Sequence, residues 1–348
     1  MRRLLGILSA AVLATGVAAA SPAGAGQPHP HASGWTRVDA PTDQQLRGLD
    51  AVDGRIAWVG GSAGGVWRTT DGGRNWDDVS PEGADGLLFR DIEARSARTA
   101  LAMSIGVGTD SRIYRTTDGG QSWEEVFVND DEAAFYDCLA MYPGDRFGLA
   151  VSDPVDGKFR IISTRDGGAS WQLVDPAGMP EAVEGEFGFA ASGTCLVTSG
   201  HDAYLASGGG AARIFVSRDR GLSWEVHDST IPASPAGGVF SLAFRGGTGI
   251  AVGGDFQAPE VGTDASAFTH DRGETWTNGG DLAGYRSGVD WVRHGVAVAV
   301  GPTGSDLTRD GGRSWVAFDD LPLDAVRCIR TTCWASGPDG VVVLARMR

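Results

Sequence analysis

The sequence predicts an all-β fold: a seven-bladed β-propeller carrying six Asp-box repeats and closed by its N-terminal strand, which completes the last blade. Three observations predict it. An eight-residue motif recurs six times at the period of a four-stranded blade. Three further strands follow the last copy. A matching outer-strand opening stands near the start of the chain.

The motif reads Thr/Ser-x-Asp-x-Gly-x-x-Trp, at 69–76 (TTDGGRNW), 116–123 (TTDGGQSW), 164–171 (TRDGGASW), 217–224 (SRDRGLSW), 269–276 (THDRGETW) and 308–315 (TRDGGRSW). Its aspartates, Asp71, Asp118, Asp166, Asp219, Asp271 and Asp310, are spaced by 47, 48, 53, 52 and 39 residues. A short carboxylate in a turn can accept bonds from loop N–H groups. The glycine supplies φ > 0. Trp76, Trp123, Trp171, Trp224, Trp276 and Trp315 each open a strand and bury a large ring between sheets. Six exposed aspartates on turns are read as structural, not as an acid array or a metal site.

The other strands follow from each copy. In blade 1, residues 46–52 form the inner strand, Asp53-Gly54 its turn, 56–60 the second strand, 66–70 the third and 76–79 the fourth. Blade 2 repeats this at 89–94, 100–104, 112–117 and 123–127, and blades 3 to 6 follow, with longer connections in blades 4 and 5. After Trp315 come strands at 324–329, 333–336 and 341–344 with no fourth. Gly34-Trp35-Thr36-Arg37-Val38 matches Trp76-Asp77-Asp78-Val79 and supplies it. Closing the ring removes sheet edges, so a soluble monomer is expected.

The remaining expectations concern address and chemistry. Arg2 and Arg3 before the apolar run 4–20, with small-residue cleavage sites at 18–20 and 23–25, predict a signal peptide at 1–25 and a flexible leader at 26–33. The propeller domain then spans 34–348, secreted or held in the cell envelope, without stable membrane insertion after cleavage. With 29 basic and 44 acidic residues the net charge is −15, a balance that repels nucleic acid and anionic lipid. Four cysteines suit an exported chain. Cys328 and Cys333 face each other across a short hairpin and predict a disulfide. Cys138 and Cys195, on inner strands of neighbouring blades, are equally readable as a bridge or as two buried thiols. Neither a Cys-x-x-Cys pair nor His ligand spacing at His201, His227, His270 or His294 points to a metal, and no cofactor is expected.

The repeated T-x-D-G-G-x-x-W units are similar to the Asp boxes of sialidases, sortilin-like receptors and photosystem II assembly factors. Blade count and size resemble the photosystem II stability/assembly factor family of plastids and cyanobacteria, with its exported bacterial relatives, over about residues 34–348. Such relatives often carry an oxidoreductase label, but no dinucleotide fingerprint is present. The resemblance implies a non-enzymatic role, binding another protein during assembly through an arginine patch. Aligning hairpin turns puts Arg47, Arg90 and Tyr136 at one inner-strand position, with Arg286 near the same rim. A protein partner, or an anionic, carboxylate-bearing ligand, is expected there, because Arg forks pair with carboxylates. Blades 4, 5 and 7 do not continue the series. The alternative is a glycan-binding or sialidase-like glycoside-hydrolysing propeller. Its parts would be Arg47, Arg90, Arg286, Tyr285 and Glu184 or Glu186, but the Arg-Ile-Pro start of sialidases is absent. Gly60-Gly61-Ser62-Ala63-Gly64 has the spacing of a nucleophile elbow, but a strand and not a helix is predicted after it.

Overall fold

A computed structural model describes residues 34–347. The expected signal peptide (1–25) and leader (26–33) lie outside the described residues. Seven antiparallel sheets are built around inner strands Leu46–Ala51, Leu88–Ala94, Tyr136–Met141, Leu196–Ser199, Gly237–Arg245, Gly288–Arg293 and Ala325–Ile329. Blade 1 shows the pattern: Leu46–Ala51, Ala57–Gly61, Val66–Thr69 and Asp77–Asp78 pair in chain order. In blade 7, Ala325–Ile329, Thr332–Ser336 and Val342–Arg346 are completed by Thr36–Arg37, with Thr36 opposite Leu344 and Arg37 opposite Val343. The first strand of the propeller therefore lies beside the last.

The blades are held together by packing between their faces. Seven inter-blade apolar clusters each contain one tryptophan from the same place in the pattern: Trp35, Trp76, Trp123, Trp171, Trp224, Trp276 and Trp315. Trp35, 4% exposed, packs among Val296, Val298 and Val343 and donates its Nε1–H to Ser305 Oγ at 3.1 Å. Trp76 and Trp123 reach back to carbonyls of the preceding outer strands, Val38 at 2.8 Å and Val79 at 2.7 Å. A ring of this size buries on the order of 200 Å². At about 25 cal/mol/Å² each tryptophan contributes at most about 5 kcal/mol, several times one neutral hydrogen bond.

The repeat turns are local devices that aim those rings. In the first, Asp71 Oδ1 accepts the N–H groups of Arg74 and Asn75, both at 3.0 Å, and Thr69 Oγ1 accepts the Gly73 N–H at 3.0 Å. The residue before each tryptophan also donates a side-chain bond to the aspartate. Asn75 does so at 2.7 Å, Ser122 at 2.6 Å and Ser170 at 2.7 Å. The motif's glycines sit at φ between 79° and 91° in all six turns, from Gly73 to Gly312.

Blade 4 departs from the expected plan. Its inner strand is short, and Glu186–Phe187 and Gly208–Gly209 join the blade 5 sheet instead, making it six-stranded. Gly208 and Gly238 allow the two backbones to meet there, where a Cβ would collide with the facing chain. The segment 188–194 then enters the central channel. It bonds or abuts inner-strand residues of blades 2, 3, 5 and 6: Arg90, Asp137, Ser241 and Ser287. The upper channel is thus filled by the chain itself. Both cysteine pairs are disulfides, Cys328–Cys333 within blade 7 and Cys138–Cys195 between blades 3 and 4. No helix of the described residues is long and apolar enough to cross a membrane.

Candidate partner-binding site at the channel mouth

Each blade begins its inner strand at one end of the channel, and four blades carry a β-bulge there. In the bulges Arg47, Arg90, Asp137 and Phe240 are the unpaired residues, following the buried residues Leu46, Phe89, Tyr136 and Val239. An inserted residue interrupts the in–out alternation, so its side chain is re-aimed while its neighbours stay in register. This sets two of the expected residues, Arg47 and Arg90, at the mouth and leaves Tyr136 facing the core.

Arg47 and Arg90 line one cavity of about 490 Å³. Its walls include Phe189, Phe240, Phe256, Tyr285, Pro259 and Asp324. Phe189 stacks on Phe240 with centroids 3.8 Å apart, and Tyr285 meets Phe240 edge-on at 4.7 Å. Phe256 is 49% exposed at the rim. An apolar wall with a few convergent polar groups is what a ligand pocket requires.

The charges there are incompletely answered. Arg47 meets Asp324 at 3.4 Å, while its Nε is buried without a partner. Asp324 also accepts from Gln45 Nε2 at 2.9 Å. Arg90 gives one N–H to the Ala190 carbonyl at 2.8 Å. Burial, and then repulsion from Arg47, lower the Arg90 guanidinium to about 10. Burial raises the Asp324 carboxyl despite Arg47 beside it. Two guanidiniums against one carboxylate leave net positive charge in a protein of net charge −15, a setting in which an incoming carboxylate would relieve repulsion.

Tyr136 and Arg286 are not part of this cavity. Tyr136 is buried between blades 2 and 3, edge-on to Phe127 at 5.1 Å. The residue at the equivalent bulge place in blade 3 is Asp137, which is buried beside Gly188 and does not line this cavity. The first hairpin turn of blade 3 spans one residue more than those of blades 1 and 2, so an alignment on turns slips by one place. Arg286 is fully buried and pairs with Asp306 at 2.6 Å and with Thr303 Oγ1 at 2.8 Å, tying blade 6 together. Its neighbour Tyr285 lines the mouth instead. Glu186 is committed to Ser207 and Arg213, and Asp91 to the Leu139 N–H at 2.6 Å. Glu184 is exposed on a neighbouring groove.

At the opposite end a cavity of about 300 Å³ is lined by Asp50, Asp91, Glu93 and Arg327. Asp50, Asp91 and Asp290 accept the N–H groups of Ala94, Leu139 and Cys328 at 2.7, 2.6 and 2.7 Å. Each bond joins the inner strand of one blade to that of the next, so these carboxylates stitch the ring. Arg327 pairs with Asp50 at 2.9 Å. Desolvation, then Asp50, push Glu93 up to about 8.

Sequence reasoning missed Asp137, Phe189, Phe240, Phe256 and Asp324. Aligning the inner strands on their buried pre-bulge residues would have found Asp137 and Phe240. No sequence period marks Phe189 or Phe256, which lie on non-repeating insertions.

Comparison with known proteins gives architecture. No protein-family model matches the chain, and no curated protein matches it. Among solved structures, "YCF48 bound to D1 peptide" is 17% identical with a TM-score of 0.65, covering 91% of this chain and 98% of the other. YCF48 from Cyanidioschyzon merolae is 17% identical with a TM-score of 0.63, covering 90% and 98%. The computationally designed Ika8 protein is 12% identical with a TM-score of 0.54, covering 89% and 98%. What the chain shares with these proteins is the propeller fold, and the seven blades counted above place it beside YCF48 in architecture.

Proposed function

We propose that this chain is an exported, non-enzymatic, assembly-factor-like propeller that recognises a protein partner on its channel-mouth face. Arg47 and Arg90 receive a carboxylate of the partner, and Phe256, Phe189, Phe240 and Tyr285 take its apolar side chains. The single observation that carries this reading is the pair of under-neutralised arginines set by equivalent bulges beside an aromatic wall. A similar propeller has been solved with a peptide bound, which supports a peptide as the kind of ligand. Two disulfides suit an extracellular or envelope setting. The box turns carry structure in this reading and no chemistry.

The test is a peptide array offered with free and with amidated C-termini, read against wild type and Arg47→Glu/Arg90→Glu. Charge reversal at a desolvated carboxylate contact is expected to cost at least about 3 kcal/mol, over a hundred-fold in Kd, read on protein whose native fold is confirmed by circular dichroism and a cooperative melt. Retained binding in the reversed protein overturns the reading. So does turnover on a fluorogenic glycoside panel.

A further inference from the structure

Next to the mouth pocket, on the same face, lies a second groove of about 620 Å³ between blades 3 and 4. Phe187 and Phe189, centroids 5.1 Å apart on one segment, form the ridge between the two. The groove has apolar walls, among them Val107 at 64% exposure and Val183 at 41%, with Phe135, Pro154 and Phe187. Exposed aliphatic side chains gathered in one concavity mark an interaction site more often than scattered ones do.

Its charge has one sign. Glu132, Asp153, Glu184 and Glu186 line it, and no Lys or Arg does. Glu186 is neutralised by Arg213. The nearby cations are spent elsewhere, Lys158 on Glu181 and Arg160 on Asp131. Among the described residues no ion pair includes Glu132, Asp153 or Glu184. Behind Asp153 stands Asp137, 1% exposed, with Oδ2 lacking any hydrogen-bond partner. Burial pushes Asp153 up to about 6, and burial and then Asp153 hold Asp137 well above the usual carboxylate range. A cation seated beside Asp153, which lines the groove, would favour its ionised form.

We propose that this groove is a second docking surface, for an extended basic polypeptide segment. Apolar side chains of the segment rest on Val107, Val183 and Phe187, and a Lys or Arg sits among Glu132, Asp153 and Glu184. Charge complementarity selects this occupant: an acidic partner would be repelled and a neutral one would leave the carboxylates desolvated. The groove does not depend on the arginine pocket, and each can fail without the other.

The probe is a short fluorescein-labelled peptide of alternating Lys and Leu, followed by anisotropy. Matched peptides carry Glu for Lys, or Ser for Leu. Glu132→Gln/Glu184→Gln is expected to weaken the Lys–Leu peptide at least about ten-fold. Glu124→Gln/Glu274→Gln, which removes the same charge from exposed sites outside the groove, is expected to change it less than about two-fold. The Glu and Ser peptides bind more weakly than the Lys–Leu peptide. Equal loss in the two Gln proteins, a Ser peptide that binds as tightly, or no binding by wild type overturns the proposal.

Discussion

Gly120 shows how tightly a single residue is specified in the repeat turns. Its φ is 81°, and an added Cβ would fall 2.5 Å from the Val79 side chain. Left-handed backbone costs a non-glycine residue about 1 kcal/mol or more, and the overlap adds to it. Gly120→Ala is therefore expected to lose about 2–3 kcal/mol, measured as a shift in urea midpoint at unchanged m-value. The neighbouring place in the turn is more forgiving, since Arg220 and Arg272 occupy it at φ 62° and 63°. Both earn tolerance through contacts: Arg220 lies over Phe147 at 4.3 Å, and Arg272 pairs with Asp202 at 2.7 Å. The turn residues were legible in the sequence because each copy repeats the same local chemistry. The hydroxyl or amide before the tryptophan was equally repeated, as Asn75, Ser122, Ser170, Ser223, Thr275 and Ser314, yet its bond to the aspartate emerges only with coordinates. Arg286 misled because an arginine near a rim reads as solvent-facing, while the partner that permits its burial, Asp306, is twenty residues away.

At the scale of strands and segments, the bulge is the feature that makes the mouth. It places one extra residue per inner strand, so residue type at that place can vary without disturbing the core behind it. The sequence contains this freedom, in Arg47, Arg90, Asp137 and Phe240, but only against the correct register, and the longer turn of blade 3 hid it. The channel segment 188–194 was illegible for a different reason: it belongs to no repeat and is held by bonds to four blades distant in sequence. The Cys138–Cys195 bridge fastens the root of this segment to blade 3, with a sequence separation of 57. A loop of that length corresponds to about 4 kcal/mol in the chain-entropy description. Cys138→Ser/Cys195→Ser is expected to lose stability of that order, read as a guanidinium midpoint shift. The Cys328→Ser/Cys333→Ser protein, which loses a bridge of sequence separation only 5, is expected to lose about half as much.

For the whole molecule, burying carboxyls in the channel links stability to acidity. Glu93 ordinarily titrates at 4.5 and is raised to about 8 in the fold, first by desolvation and then by Asp50. A raised carboxyl means that the folded protein binds a proton the unfolded chain has released. Its stabilising share is complete below 4.5 and is lost as pH rises towards about 8, at up to about 1.4 kcal/mol per pH unit. Glu93→Gln is expected to flatten this decline, leaving the variant more stable than wild type above the raised value, as measured by denaturant titration across the range. The turn aspartates act in the opposite sense. Asp71 and Asp118 are lowered to about 2 by the side chains and N–H groups they accept, so their share is present above 3.8 and is lost as pH falls through about 2. The ring as a whole was the most legible level, because seven tryptophans and a divided last blade follow from counting. The closed channel was the least, since a repeat predicts an empty axis and only a departure from the repeat can fill it. The strand around Trp35 carries one more consequence. Its partner, Val342–Arg346, follows every other strand of the ring in the chain, so the circle cannot close until that strand has been made. A nascent propeller must wait open at its seam, with the Trp35 indole lacking its Val343 contact, until that strand emerges.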